Sequence, residues 1–456
     1  MQLDVTEVKN GVILPAKYMS VVFPCGVGGV VDEEGAFMEE SISTFPERFG
    51  GAYDYPKSEE VNLDEDILYI GYLRTHWGHF LADCTLRMWY LMEEDIHCKV
   101  AYCGSLHEEN ILPESIKAFF DILGIKREQL VDIRVPTRAR RIFIPQISLD
   151  SSCHYTSKFK DMFRGMSKKV NADLFETNEK LYFTRTRLAN EKEIGEELVE
   201  EIFRKNGYKI ISPEYESLEK QIALMKSCKT FASMEGTVAH NIVFAEEGTK
   251  QIILRKHTYM NLRQPYLNQC MGVNATYIDI GCRPFGKHFP RDFYGGIFWV
   301  RATKELRNYC KDNHMWFPTY RKILWMDLKC AVKYLYQCGK HIKRNLRMQY
   351  QIAKEDRVIL KRIYNYKNIV IYGVNERAFR WKRKIQKRYS AQVFLTDTNW
   401  KAIQKYEKVC DWEGLNLLDQ CCFLISIKNA EASIEVKNAL MKRGIYEKDI
   451  YYYAST

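Results

Sequence analysis

Thr230 to Leu254 reads TFASMEGTVAHNIVFAEEGTKQIIL. A β-like run, Thr230 to Ser233, breaks at Glu235-Gly236-Thr237. One or two helical turns follow over Val238 to Ala245, then a turn at Gly248 and a second strand over Gln251 to Leu254. Strand, glycine turn, short helix and strand make a βαβ unit. Gly236 lets backbone come close to a ligand, and Thr237 is expected to cap the helix. The N–H groups at such a helix start suit a diphosphate, with Glu235 beside them as an acceptor for a ribose hydroxyl. The plain alternative is a buried βα turn without a ligand, because one glycine falls short of a full phosphate-loop pattern.

Working outward, Leu181-Tyr182-Phe183 is a short buried strand that runs into Thr184-Arg185-Thr186-Arg187 and Asn190-Glu191. An arginine at the carboxyl end of a strand in an open α/β sheet points into the ligand crevice. Its guanidinium forks onto phosphate oxygens and stabilises a departing diphosphate. The alternative is an arginine pair on a surface loop. Further upstream, Trp77-Gly78-His79-Phe80-Leu81-Ala82-Asp83 opens a helical pattern to Met92. Phe80, Cys84, Met88 and Leu91 form its apolar stripe, and His79, Asp83 and Arg87 recur on a neighbouring face. A His one turn from an Asp suits general-base work, since the carboxylate orients the imidazole. The alternative is a structural His at a helix start.

In that order the three blocks resemble glycosyltransferase family 61, whose pattern is a GHF-type segment with an acid four residues after the His, a Tyr-x-Ser/Thr-Arg strand end, and a (H/E)G(A/S/T)xxxN turn and helix. The resemblance covers about residues 60 to 260 and lies closest to bacterial polysaccharide-biosynthesis members. It implies an α/β fold with two facing Rossmann-like lobes of GT-B type. It also implies an inverting transfer from a nucleotide diphosphate sugar to a glycan or lipid-linked glycan acceptor, with no metal cofactor. His79 and Asp83 then stand at the catalytic positions, and Arg185, Arg187, Glu235, Gly236, Thr237 and Asn241 at the donor. One departure is Glu235, where many members carry His.

Composition bounds these readings. The 456-residue chain is 46% hydrophobic and 13% aromatic, enough for packed cores and against disorder. It has no apolar run long enough for a membrane span, and its start, MQLDVTEVKNGVILPA, carries no leader pattern. Fourteen cysteines are scattered without a CxxC pair or zinc spacing, as expected of reduced thiols in a cytoplasmic protein. Asp64-Glu65-Asp66 precedes a strand, whereas a metal-holding D-x-D follows one.

Four segments are expected. Residues 1–175 form the acceptor-side lobe, with Gly26, Gly28 and Gly29 in a turn and a helical linker over 155–175. Residues 176–295 form the nucleotide-sugar lobe, with a helix from Glu193 to Asn206. Residues 296–366 are a basic helical connector, and 367–456 a small Rossmann-like domain. The formal charge of +10 concentrates in residues 301–365, where 16 Lys/Arg face 5 Asp/Glu. Trp, Tyr and Leu interleave with those cations, which fits an anionic membrane surface on the inner face of the plasma membrane. A solvated connector is the alternative. Nucleic acid is not expected, since no reader motif accompanies the charge. In the tail, Gly373-Val374-Asn375-Glu376 lacks the second glycine of a dinucleotide fingerprint, so a structural copy is expected there. Two rival functions use these parts: an NAD(P)-dependent oxidoreductase built on the tail, and a non-catalytic membrane-surface scaffold built on the basic stretch.

Overall fold

The computed structural model describes residues 3–20, 25–44, 48–93, 98–104, 112–188, 193–258, 261–285, 297–397, 408–411, 415, 419–427 and 430–452. Asn190 and Glu191 lie outside them. The fold is mixed α/β with several sheets. It divides into two compact units, one of Met1–Pro15, Val30–Ser41 and Lys57–Ile342, the other of Ala16–Gly29, Ile42–Pro56 and Lys343–Thr456.

The larger unit holds two five-stranded sheets. In the first, β1 (Val5–Lys9), β2 (Asp66–Leu73), β3 (Lys99–Gly104), β4 (Leu130–Asp132) and β5 (Arg141–Pro145) lie in the order β1-β5-β2-β3-β4. Only β1 is antiparallel to its neighbour. Ile67 to Tyr69 and Val100 to Ala101 are buried, the continuous apolar runs that a parallel sheet requires. The chain steps outward from β2 to β3 and β4, then returns to β5 on the other flank of β2. The strand order therefore reverses between β2 and β5.

The second sheet is wholly parallel: β6 (Lys180–Phe183), β7 (Lys209–Ile211), β8 (Thr230–Met234), β9 (Lys250–Arg255) and β10 (Asn274–Asp279), in the order β7-β6-β8-β9-β10. Its order reverses between β6 and β8. The focal stretch forms β8, a 3-10 helix over Thr237–Phe244 and β9, with Thr230 opposite Lys250 and Met234 opposite Leu254.

The helices around these sheets are α1 (Glu114–Leu123), α2 (Ser157–Lys169), α3 (Glu196–Lys205), α4 (Leu218–Ser227), α5 (Arg263–Met271), α6 (Lys304–Asp312) and the 43-residue α7 (Tyr320–Arg362). Three expectations change. The segment expected as a linker is the core helix α2: Phe159, Met162, Phe163 and Met166 are buried at helical spacing. The Phe163 ring lies 6.0 Å from Phe119 and 5.4 Å from Phe244, and each such buried side chain contributes about 1.5–3 kcal/mol. Gly26, Gly28 and Gly29 lie in a strand, Cys25–Val31, not in a turn. A Cβ at Gly26 would stand 2.2 Å from the Lys17 carbonyl oxygen, so the neighbouring backbone needs the glycine. α3 begins at Glu196 rather than Glu193, because Glu193–Ile194 pairs as a short strand with Phe298 and Trp299.

Asp66 opens β2 and pairs with Arg140 and Arg141, whose guanidiniums hold its carboxyl at about 2. Those arginines are where the acid of Asp64-Glu65-Asp66 spends its charge.

The smaller unit carries a parallel four-stranded sheet: β11 (Asn368–Tyr372), β12 (Gln392–Thr396), β13 (Cys421–Ile425) and β14 (Ile450–Tyr452), in the order β12-β11-β13-β14. Trp381 and Ile385 of α8 (Glu376–Arg388) pack with Ile369, Ile371, Leu395 and Leu424. Leu440 of α9 (Ala430–Lys442) joins Val370 and Phe423 in a second cluster.

Candidate functional site

After β2 the chain makes one α turn over Trp77–His79, then a π turn over Phe80–Cys84, and later a 3-10 turn over Met88–Met92. The single regular helix expected here is thus three different turns. Phe80 anchors them, stacked 5.7 Å from Trp77 and edge-on 4.9 Å from Phe119. Wide π turns of this kind recur where a helix presents functional groups. His79 Nδ1 lies 2.9 Å from Asp83 Oδ2, so the expected pair forms. The His79 side chain is 33% exposed and that of Asp83 only 5%. With Nδ1 engaged by the carboxylate, Nε2 is the nitrogen left to exchange a proton. Arg263 of α5 approaches the same acid, its Nε 3.2 Å from Asp83 Oδ1. Arg87 does not continue the His79–Asp83 face as a surface cation. It is buried, donates to the Glu40 carbonyl, and burial pulls it down to about 10.

This segment, hanging from the reversal point of the first sheet, meets the 3-10 helix from the second. Trp77 Nε1 donates to Asn241 Oδ1 at 3.1 Å, and His240 Nδ1 lies 3.2 Å from the Gly78 carbonyl. His76 Nε2 and Thr237 Oγ1 are 3.4 Å apart. A Cβ on Gly78 would come within 2.9 Å of Thr237 Oγ1, so glycine is what permits this approach. Burial pushes the His240 imidazole below its ordinary range, which fits a neutral packing group.

Register aligns the second edge. Phe183 faces Ser233, so Thr184-Arg185 and Met234-Glu235 leave adjacent strands at one level. Met234 faces Leu254, which brings Lys256 to the level of Gly236. These ends flank the β6/β8 reversal, where open parallel sheets bind ligands. Gly236 sits at φ 111°, ψ −154°, a region only glycine occupies freely, and beyond Glu235 and Thr237 no described residue comes within 4 Å of where its Cβ would be. Gly236 holds the cap position; Thr237 lies inside the helix and makes no cap bond.

Glu235 is buried, and its Oε1 accepts the His257 N–H at 2.9 Å together with the Lys256 N–H. That acceptor thus closes the turn after β9. Asn241 is likewise engaged at both ends: Oδ1 accepts from Trp77, and Nδ2 donates to the Val238 carbonyl at 3.1 Å.

Arg185 is held from two sides. Its N–H donates to Glu196 Oε1 at 3.0 Å, and its Nε lies 3.4 Å from Glu193 Oε1. The Lys256 ammonium pairs with the same Glu193 oxygen. Burial raises the Glu193 carboxyl, but Lys256 and Arg185 outweigh it and leave the group below its ordinary value. Glu196 goes the other way. Burial, aided by the nearby Glu193 charge, pushes it up to about 7 against the bonds from the Arg185 N–H and the Tyr182 hydroxyl. Arg187 does not share this cluster. It lines a cavity of about 330 Å³ with Thr184, Thr186, Glu200, Tyr208 and Tyr215.

Residues 77–252 match the Glycosyltransferase 61 family model. The matched region runs from Trp77 into β9 and includes the His79–Asp83 pair, Arg185 and the Gly236 turn. The Glycosyltransferase 61 match supports glycosyltransferase activity, and such an enzyme binds a sugar donor and an acceptor. No curated protein matches the chain.

Sequence reasoning passed over Lys256, Glu193, Arg263 and His76. Lys256 had a signal, since it follows the end of the focal strand as Arg185 follows Phe183. Arg263 had none, because it pairs with an Asp83 that lies far upstream in the chain.

Proposed function

We propose that the protein is an inverting, metal-independent glycosyltransferase of GT-B type that moves a sugar from a nucleotide diphosphate donor to a glycan or lipid-linked glycan acceptor, in surface or capsular polysaccharide synthesis on the cytoplasmic side of the membrane. What carries this reading is the meeting of the two reversal-point segments, with Trp77 and Gly78 touching Asn241 and His240.

In this reading the donor diphosphate lies over Gly236, which offers open space and the first N–H groups of the helix. Arg185 and Lys256 face it and exchange their shared Glu193 for phosphate oxygens. Arg187 and its cavity take the nucleoside end, a volume at the lower limit for small-molecule sites. Glu235, Thr237 and Asn241 serve the donor by shaping the turn and seating it against Trp77 and His76. The acceptor hydroxyl gives its proton to His79 Nε2, oriented by Asp83. Its oxygen bonds to the anomeric carbon as the bond to the diphosphate breaks, and that electron pair leaves on the diphosphate oxygen. Arg185 and Lys256 stabilise the charge that grows there, the work a divalent ion does in other transferases.

A thermal-shift panel of UDP, GDP, CMP and their sugars, with and without divalent metal, tests this. Saturation near a hundred times Kd stabilises by about 2.7 kcal/mol. A metal-independent shift with one nucleoside diphosphate is expected. No shift with any nucleotide would remove the donor reading.

A further inference from the structure

Up to Ile342, α7 buries one face among the described residues, and Lys322 pairs with Glu201 of α3. Ile323, Cys330, Tyr334 and Cys338 are buried, the last three against Ile194 and Trp299. Another face leaves Leu324, Trp325, Leu328, Val332, Leu335 and Tyr336 in solvent, with Leu328 67% and Trp325 63% exposed. At about 100° per residue these six spread over an arc of about 120°, wider than a coiled-coil seam. Lys329, Lys333 and Lys340 run along its border, with Lys329 5.9 Å from the Trp325 ring and Lys340 4.5 Å from that of Tyr336. Residues 320–342 contain five Lys/Arg against one acid, Asp327, which pairs with Arg301.

A contiguous apolar stripe in water marks a surface that something covers. A second copy of the chain would set one lysine row beside another with no acids to answer it. A bilayer with anionic headgroups complements both features. Acyl chains take the Leu and Val side chains, Trp325 and Tyr336 sit at the headgroup level, and phosphates take the ammoniums. Among the described residues no helix is long and apolar enough to cross a membrane, so the helix lies along the surface. We infer that residues 320–342 of α7 dock this protein in-plane on an anionic lipid bilayer. The inference rests on α7 alone and stands whether or not the donor reading does.

Flotation of the full chain with vesicles tests it, comparing phosphatidylglycerol-rich with pure phosphatidylcholine membranes. The wild type is expected to float only with the anionic vesicles and to release as salt rises. Leu328→Glu/Leu335→Glu and Lys329→Glu/Lys340→Glu should each weaken binding by about tenfold or more. Both should keep the wild-type thermal midpoint, since these side chains are exposed. The inference fails if the wild type ignores anionic vesicles, or if both variants bind as it does. It fails equally if sedimentation shows a dimer that Leu328→Glu/Leu335→Glu turns to monomer while vesicles stay unbound.

Discussion

Gly236 and Gly373 end comparable strands. Each follows a parallel β-strand beside a reversal of strand order, each has positive φ (111° and 93°), and each precedes a helix. What surrounds them differs. Over Gly236 no described residue other than its two chain neighbours comes within 4 Å of a notional Cβ, and Arg185 and Lys256 stand on the flanking strand ends. At Gly373 a Cβ would come 2.9 Å from Ser426 Oγ, and the Val374 N–H already donates to Asp397 Oδ2 at 3.2 Å. Asn375 caps α8 and bonds to Ser426, while Val374 packs with Val27 and Val409. The second turn has satisfied itself with the groups a phosphate would bring. The strand–glycine–helix pattern is shared; the open space and the two cations at the flanking strand ends, Arg185 and Lys256 on their one shared carboxylate, are not.

Several experiments would break or sharpen this contrast. The largest effect belongs to the pair that acts on the acceptor. His79→Ala and Asp83→Ala should each lower kcat by about 10²–10⁴-fold while nucleotide affinity is kept. Equal loss of donor affinity would make the pair a structural part of the Gly236 edge. Next is Arg185→Ala, expected to cost about 10²–10³ in turnover with the thermal midpoint retained. Full activity in that variant would leave the Gly236 turn as inert as the Gly373 turn.

A smaller effect is read as stability against pH. The Glu196 carboxyl is raised from 4.5 to about 7, so the folded state favours its protonated form. The stability this contributes is complete below about 4.5 and is lost as pH rises through about 7, on the order of 3 kcal/mol at 1.36 kcal/mol per unit. Glu196→Gln should therefore flatten the fall in thermal midpoint between pH 5 and 8. An unchanged slope would place the titration elsewhere.

The glycines themselves give the smallest effect and the most direct test. Gly236→Ala and Gly373→Ala should each cost about 1–3 kcal/mol through backbone strain. Only Gly236→Ala should also abolish a nucleotide-induced thermal shift. If Gly373→Ala abolished it as well, the C-terminal turn would be a ligand site after all.

The positions of strands β6, β8 and β9 were readable from short apolar runs bounded by Gly or Thr. The i, i+4 spacing of His79 and Asp83 foretold their contact even though the helix between them became a π turn, because either turn keeps those side chains on one side. The role of residues 155–175 was not readable as core. Its apolar spacing says only that one face is buried, not that it lies against Phe119 and Phe244. Glu235 and Asn241 looked like ligand groups because an unpaired polar side chain in sequence carries no sign of its partners.

By itself, then, the sequence determined the strand–turn vocabulary, the chemistry of the strand ends and the basic apolar stripe of α7, since each depends on residues within a turn or two of one another. Tertiary structure alone decided which polar groups were already spent. It brought Arg263 to Asp83, Lys256 to the Glu193 shared with Arg185, and Asp397 to the turn at Gly373. Long-range pairing of charges is set by strand order and register, and neither is written in local spacing.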